Sequence, residues 1–208
     1  MKEKQDYIRD ITEIRSMMER SSKFRSLSGW AGVMAGIYAL AGAYIAYSIF
    51  NFNPDRIVYS ATTYDSTAAG LPSIILLGVI ILVLAMGTAI FFSYKNAAKR
   101  GEKLWNATAR QLMNNMAVPF IAGGLLILLL ISKGLIGLIA PVSLVFYGLA
   151  LYNAGNFTYK EVRILGLVQI GLGLFSAYFV QYGLLCWALG FGVVHIIYGI
   201  YMHYRYER

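Results

Sequence analysis

The side chain best suited to chemistry in this sequence is His195, because it places an imidazole near the middle of a long apolar segment. His195 shares one helical face with Ala188, Gly192 and Gly199, at steps of four, three and four residues. A face of small residues predicts contact with another helix rather than with lipid. An ionisable group in such a place is a candidate binding point or proton-sensitive switch.

A partner for His195 follows from the preceding apolar segment. If the two segments pair antiparallel about a turn centred near residue 182, Gln169 lies level with His195. We therefore predict a Gln169–His195 hydrogen bond and, without a carboxylate nearby, a neutral imidazole. The alternative is a structural contact worth about 0.6 kcal/mol that fixes helix register. The candidate binding residues are Gln169, Ser176, His195 and Tyr198.

The remaining titratable residues argue against most catalytic and transport chemistry. All ten Asp and Glu residues lie outside the predicted spans, whereas proton- and sodium-coupled transporters usually need a buried carboxylate. No phosphate-binding loop, zinc-protease motif or Ser/His/Asp set occurs. Cys186 is the only cysteine, and His203 lies about 12 Å along the helix from His195, too far to share a metal ion. We expect no enzymatic activity, no metal and no cofactor.

The elements that position these residues are apolar helices. The 208 residues are 58% hydrophobic and only 13% charged, with a mean hydropathy of +0.59. Crossing a bilayer takes about 20 apolar residues, and the third run is short for this. The sequence predicts an all-α polytopic membrane bundle, residues 27–208, with six spans in three hairpins. The spans are 28–50, 73–94, 117–132, 134–153, 164–181 and 184–203, with tight turns at Lys133-Gly134 and 181–183.

Basic residues orient the predicted spans. Sixteen of the eighteen Lys and Arg residues fall on one side of this topology, and only Arg56 and Lys133 fall on the other. Because Lys and Arg concentrate in cytoplasmic loops, both termini are expected in the cytoplasm. The net charge of +8 is attributed to attraction by anionic lipid headgroups rather than to direct binding of nucleic acid.

Two cytoplasmic segments carry helical stripes. Residues 1–26 are predicted to form an amphipathic helix that either lies on the inner leaflet or docks a protein partner. A second stripe runs through Trp105, Ala109, Leu112 and Met116, and predicts an interfacial helix leading to a kink at Pro119. The residues assigned to a membrane or partner surface are Tyr7, Ile11, Ile14, Met18 and Trp105.

Small residues predict close helix packing in the first and last spans. Ala31, Ala35, Ala39 and Ala43 recur every four residues beside Gly32 and Gly36, and Gly192 and Gly199 occupy the last span. Such faces let helix backbones approach closely in lipid. The pattern leaves open whether span 1 packs within one chain or forms a homo-oligomer.

One part of the chain resembles a known family. The run from Thr12 to Gly42, TEIRSMMERSSKFRSLSGWAGVMAGIYALAG, is similar to the start of a family of small six-span inner-membrane proteins of Bacteroidota, to which no activity is assigned. The resemblance implies the bacterial inner membrane. Because some members are encoded beside small winged-helix transcriptional regulators, it also implies a regulatory or sequestering partner in the cytoplasm. It supplies no catalytic residues.

Three hypotheses remain from the sequence. The favoured one is a non-enzymatic sensor, scaffold or regulatory subunit whose cytoplasmic face engages a soluble partner. The second is a passive transporter or channel for a small neutral solute, lined by Gln169, His195 and nearby tyrosines. The third is a lipid- or cofactor-binding subunit of a larger membrane complex.

Overall fold

Six helices make up the part of the chain that the structure describes, and each is long and apolar enough to cross a membrane. The computed structural model describes residues 24, 26–50, 52, 71–99, 101 and 105–208, and no strand occurs among them. The expectation of an all-helical bundle with six long apolar helices is confirmed. The helices are α1 (Gly29–Ser48), α2 (Leu71–Lys99), α3 (Ala107–Ser132), α4 (Ile136–Ala154, which begins with the 3₁₀ turn Ile136–Leu138), α5 (Lys160–Tyr178) and α6 (Val180–Glu207).

The sixth helix is irregular. A regular α-helix occupies only its second and fourth parts, and π-helical turns, with one extra residue per hydrogen-bonded ring, occupy the third and the last. In order, the parts are the 3₁₀ turn Val180–Tyr182, Gly183–Trp187, Ala188–Val194, His195–Met202 and His203–Glu207. Because π-helical turns often occur at functional sites, the turn that ends just before His195 draws attention to its surroundings.

The third helix corrects the predicted boundaries. The sequence predicted a short span at 117–132 with an interfacial helix that leads into it, and one continuous helix covers both and contains Pro119. Its N-cap is Asn106, whose Oδ1 accepts a hydrogen bond of 2.8 Å from the backbone N–H of Ala109. Two glycine-assisted turns flank it, since Gly101 and Gly134 have φ angles of 66° and 71°. Gly134 lies at the tight turn predicted between the third and fourth spans.

The predicted stripe on α3 is present except for its first member. Ala109 and Leu112 are buried and Met116 packs against the same cluster, whereas Trp105 precedes the helix and is 66% exposed. The other predicted surface residues, Tyr7, Ile11, Ile14 and Met18, lie outside the described residues, as does almost all of the expected helix 1–26.

Helices α1 and α4 each pack against more than one other helix of the bundle. The first helix, α1, lies between α2 and α6, and α4 contacts α3, α5 and the start of α6. Close approach between α4 and α5 depends on glycine, because a Cβ on Gly148 would lie 2.7 Å from the backbone oxygen of Gly166. Most side chains of α2 are exposed, so this helix is an outer element of the bundle.

The small residues predicted to mediate packing lie between α1 and α6. Gly32 faces the Cα of Gly199, and Gly36 faces the backbone oxygen of Gly192. Further along α1, Ala39 and Ala43 are buried, whereas Ala31 and Ala35 are partly buried. The small-residue face therefore packs within one chain. A homo-oligomer through span 1 stays a prediction.

One end of the bundle gathers the described basic residues, and we call it the basic end. There α1, α3 and α5 begin and α2, α4 and α6 end, and all described Lys and Arg residues except Lys133 lie there. A buried cluster closes this end: Phe24, Ala109, Leu112, Leu151, Ala154, Tyr159, Val162, Leu165 and Met202.

Candidate functional site

Three helices bring polar groups together inside the bundle. Tyr147 comes from α4, Gln169 from α5, and Gly190 and His195 from α6; we call these four residues the interior polar cluster. Gln169 is 0% exposed and His195 is 5% exposed. The sequence predicted a hydrogen bond between Gln169 and His195, and Nε2 of Gln169 lies 3.3 Å from Nδ1 of His195.

Both side chains converge on one backbone carbonyl. The oxygen of Gly190 accepts a hydrogen bond of 2.7 Å from Nε2 of Gln169 and lies 2.8 Å from Nδ1 of His195. Because the Gly190 carbonyl can only accept, we assign the ring proton of His195 to Nδ1. The other ring nitrogen, Nε2, then accepts a hydrogen bond of 2.9 Å from the Tyr147 hydroxyl. In this neutral tautomer every ring nitrogen has a partner. Because both nitrogens then donate to the Gly190 oxygen, Gln169 and His195 share an acceptor and form no hydrogen bond with each other in this tautomer.

Glycine at position 190 makes room for the amide. A Cβ there would lie 2.5 Å from Oε1 of Gln169 and 2.6 Å from Cδ2 of Leu144. Among the described residues, Oε1 of Gln169 has no hydrogen-bond partner. The cluster therefore contains one buried acceptor that is available to a donor.

Aromatic rings surround the imidazole. The ring of Phe191 stacks on His195 with centroids 5.9 Å apart, and Tyr147 lies 4.9 Å from Phe191 and 5.5 Å from His195. The ring of Phe120 on α3 contacts Tyr147 edge-on at 5.9 Å. These contacts hold Tyr147 and His195 in fixed orientations.

The structure places the other two predicted binding residues apart from the cluster. Ser176 is fully buried on α5 beside the thiol of Cys186, and Tyr198 is half-buried and packs toward the basic end. No hydrogen bond between described residues joins either of them to Gln169 or His195.

Tyr147 is a cluster residue that sequence reasoning did not single out. One signal was available. Tyr147 lies seven residues before the end of α4 at Ala154, about 10 Å along the axis, which is deep for an interfacial aromatic.

A carboxylate joins three helices at the basic end. Oε1 of Glu207 accepts hydrogen bonds from the backbone N–H of Gly29 at 2.9 Å and from Nδ2 of Asn96 at 2.8 Å, and Oε2 lies 2.8 Å from Nδ1 of His203. A negative charge at the start of α1 is favourable. The side chain of Ser28, at the N-cap of α1, does not cap the helix. We call this arrangement the Glu207 clasp, and no sequence pattern predicted it.

The chain enters α1 through a buried linker. The backbone N–H of Phe24 donates to the carbonyl of Phe157 at 2.7 Å, and the Thr158 hydroxyl donates to the carbonyl of Phe24 at 2.7 Å. Phe24, Ser26 and Ser28 are all buried. The segment that precedes α1 is thus joined to the bundle at a fixed point beside the α4–α5 loop.

Comparisons with known proteins identify no relative of this chain. No family model, no curated protein and no solved structure matches this chain. In the described part of the chain, no group of three or more His, Cys, Asp or Glu side chains could hold a metal ion. The interior polar cluster can form hydrogen bonds in a closed interior. The buried linker attaches the chain that precedes α1 to the bundle.

Proposed function

We propose that this chain is a non-enzymatic integral membrane sensor or scaffold whose residues 1–23 engage a cytoplasmic protein. The observation that carries the proposal is the buried linker, because it couples that segment to the bundle. A segment meant only to tether a partner would need no buried attachment.

The membrane placement is supported by the six apolar helices and by their charged ends. Lys and Arg concentrate on cytoplasmic sides, so the basic end would face the cytoplasm, and both termini with it. The bacterial inner membrane is implied by the resemblance of residues 12–42.

Two contacts would carry a signal from the segment to the helices. The linker fixes Phe24 to the α4–α5 loop through hydrogen bonds with Phe157 and Thr158. Five residues later, the Glu207 clasp ties the first residue of α1, Gly29, to α2 and α6. A movement of residues 1–23 on partner binding would therefore be transmitted to helices on both sides of the bundle.

The partner is a cytoplasmic protein that binds an apolar helical stripe. Tyr7, Ile11, Ile14 and Met18 provide the stripe in the sequence, flanked by both acidic and basic residues. A winged-helix regulator is the partner class that the family resemblance implies. Under this proposal the regulator, and not the membrane protein, contacts DNA.

Removing residues 1–22 should abolish partner capture while membrane insertion persists. The paired substitutions Ile11→Asn and Ile14→Asn should also reduce capture, by roughly tenfold, as expected for loss of interface anchors. Capture is measured by crosslinking the regulator to the tagged chain in native membranes, and insertion is measured by liposome flotation.

The matched control changes the opposite face of the same segment. Arg9→Gln with Glu13→Gln should leave capture within about threefold of wild type, since residues on the face away from an interface contribute little. Undiminished capture by the chain without residues 1–22 would refute the partner role of this segment.

A second candidate function, passive transport of a small neutral solute, is favoured by the unpartnered Oε1 of Gln169. A buried acceptor can bind a donor group of a solute and can help to conduct it between helices. For this function, Gln169→Leu should lower solute flux into proteoliposomes at least fivefold, because a single buried hydrogen bond is worth about 1 kcal/mol. Wild-type flux equal to that of empty liposomes would eliminate the transport candidate.

A further inference from the structure

A half-enclosed cleft opens at the basic end between α1, α2 and α6. Its volume is about 460 Å³, and its wall combines aromatic rings with polar and charged groups. Six residues define its chemistry: Trp30, Phe92, Lys95, Asn96, Lys99 and Glu207. No residue of the interior polar cluster lines this cleft, and Ser28 is the only buried residue of the linker that does.

Two lysines give the cleft a positive charge. Lys95 and Lys99 are one helical turn apart on α2, and both side chains are exposed. Within the described ranges, neither ammonium group makes an ion pair or a hydrogen bond. Both charges are therefore available to an anion.

The carboxylate that lines the cleft is already engaged. Glu207 uses Oε1 for Gly29 and Asn96 and Oε2 for His203, so it forms no ion pair with either lysine, and its single charge leaves the two lysines in excess. It also keeps α1, α2 and α6 at the separation that leaves the cleft open. The lysines and the clasp thus have different roles: one set attracts a ligand and the other shapes its site.

Trp30 supplies an apolar wall with a polar edge. Its side chain is 47% exposed, and its ring lies 5.3 Å from that of His203. The indole N–H has no hydrogen-bond partner in the part of the chain that the structure describes. Tryptophan and lysine together are typical of the depth at which lipid headgroups meet a membrane protein.

We propose that this cleft binds the phosphate group of an anionic phospholipid. The phosphate lies between the ammonium groups of Lys95 and Lys99, and the exposed apolar surface of α2 accommodates the acyl chains. Lysine binds phosphate as a point charge, and basic pockets between helices at the cytoplasmic side are suited to anionic headgroups. The proposal shares only the membrane placement with the proposed function.

The test measures lipid binding to the full chain in neutral detergent micelles. We expect native mass spectrometry to show one retained phosphatidylglycerol, and thermal unfolding to shift upward with that lipid but not with phosphatidylcholine. The double variant Lys95→Gln/Lys99→Gln should weaken phosphatidylglycerol binding roughly 30-fold, from about 1 kcal/mol for each near-surface lysine. Lys95→Arg/Lys99→Arg should bind within a few fold of wild type, because it keeps both charges.

The matched control removes two charges at the same end but outside the cleft. Arg110→Gln/Lys160→Gln should leave binding unchanged, and an equal loss in this variant would overturn the proposal in favour of diffuse attraction to the whole basic end. Inorganic phosphate is the third arm: protection by phosphate equal to that by phosphatidylglycerol would assign the cleft to a soluble phosphate compound and overturn the lipid. Because the assay uses micelles, its failure leaves partner capture by residues 1–23 untouched.

Discussion

Replacing Gly199 with leucine should separate α1 from α6 and abolish the folded bundle. A Cβ at this position would lie 2.5 Å from the backbone oxygen of Gly29 and 2.6 Å from the backbone nitrogen of Val33. Backbone atoms cannot rotate aside as a side chain can. Overpacking inside proteins typically costs about 1–3 kcal/mol, and here we expect at least the upper end, since the two helices would have to move apart along their contact.

The loss of stability should be especially severe in a membrane. Lipid provides no hydrophobic driving force for helix association, so the helices depend on close packing. Gel filtration and thermal unfolding of purified protein check the prediction. Gly87→Leu is the matched control, since a Cβ on Gly87 of α2 has nothing within 4 Å. Similar elution and melting for Gly199→Leu and wild type would contradict the α1–α6 packing.

Substitution of His195 by alanine should destabilise the bundle more than Tyr147→Phe, and the two effects should not add. Alanine removes the partner of the Tyr147 hydroxyl and one donor to the Gly190 carbonyl. Each buried polar group left without a partner costs about 1–3 kcal/mol, and the missing ring leaves a cavity as well. Tyr147→Phe removes only the hydroxyl that Nε2 accepts from.

Denaturant unfolding in mixed micelles of the wild type, both single variants and the double variant measures the coupling. We expect about 1 kcal/mol of interaction energy between the two sites, within the range for residues that share a hydrogen bond. Tyr178→Phe, on a side chain that is 82% exposed, controls for the loss of a tyrosine hydroxyl. Additive effects of His195→Ala and Tyr147→Phe would show that the cluster is not a unit.

The six helices could be predicted from the sequence because apolar length is a local property. The error at α3 has a local cause too. Gln111, Asn114 and Asn115 lower the local hydropathy before residue 117, yet they occupy the exposed face of one continuous helix. The side chain of Asn115 even donates to the carbonyl of Gln111 at 2.8 Å, so part of its polarity is satisfied within the helix. Average hydropathy cannot distinguish such a face from a break between elements.

The candidate site could be predicted only in part. Gln169 and His195 follow one another across a short turn, so counting residues along two antiparallel helices placed them together. Tyr147 and the carbonyl of Gly190 could not be found that way. Their positions depend on contact between α4 and α6, which are not sequence neighbours, and on a π-helical turn. Glu207 was missed for a similar reason, since its partners lie on α1 and α2.

The π-helical turn Ala188–Val194 also sets the angular phase of α6. Before it, Gly183–Trp187 packs against α4 and α5; after it, His195–Met202 has α1 as its main neighbour. Each residue of an α-helix advances the face by about 100°, so the extra residue in the wide turn rotates the second half relative to the first. Deleting one residue there would make the stretch from Gly183 to Met202 regular, but it would turn either Cys186 or Gly199 away from its neighbours. The two halves of α6 therefore present different sequence faces to the bundle, and His195 is the first residue of the second half.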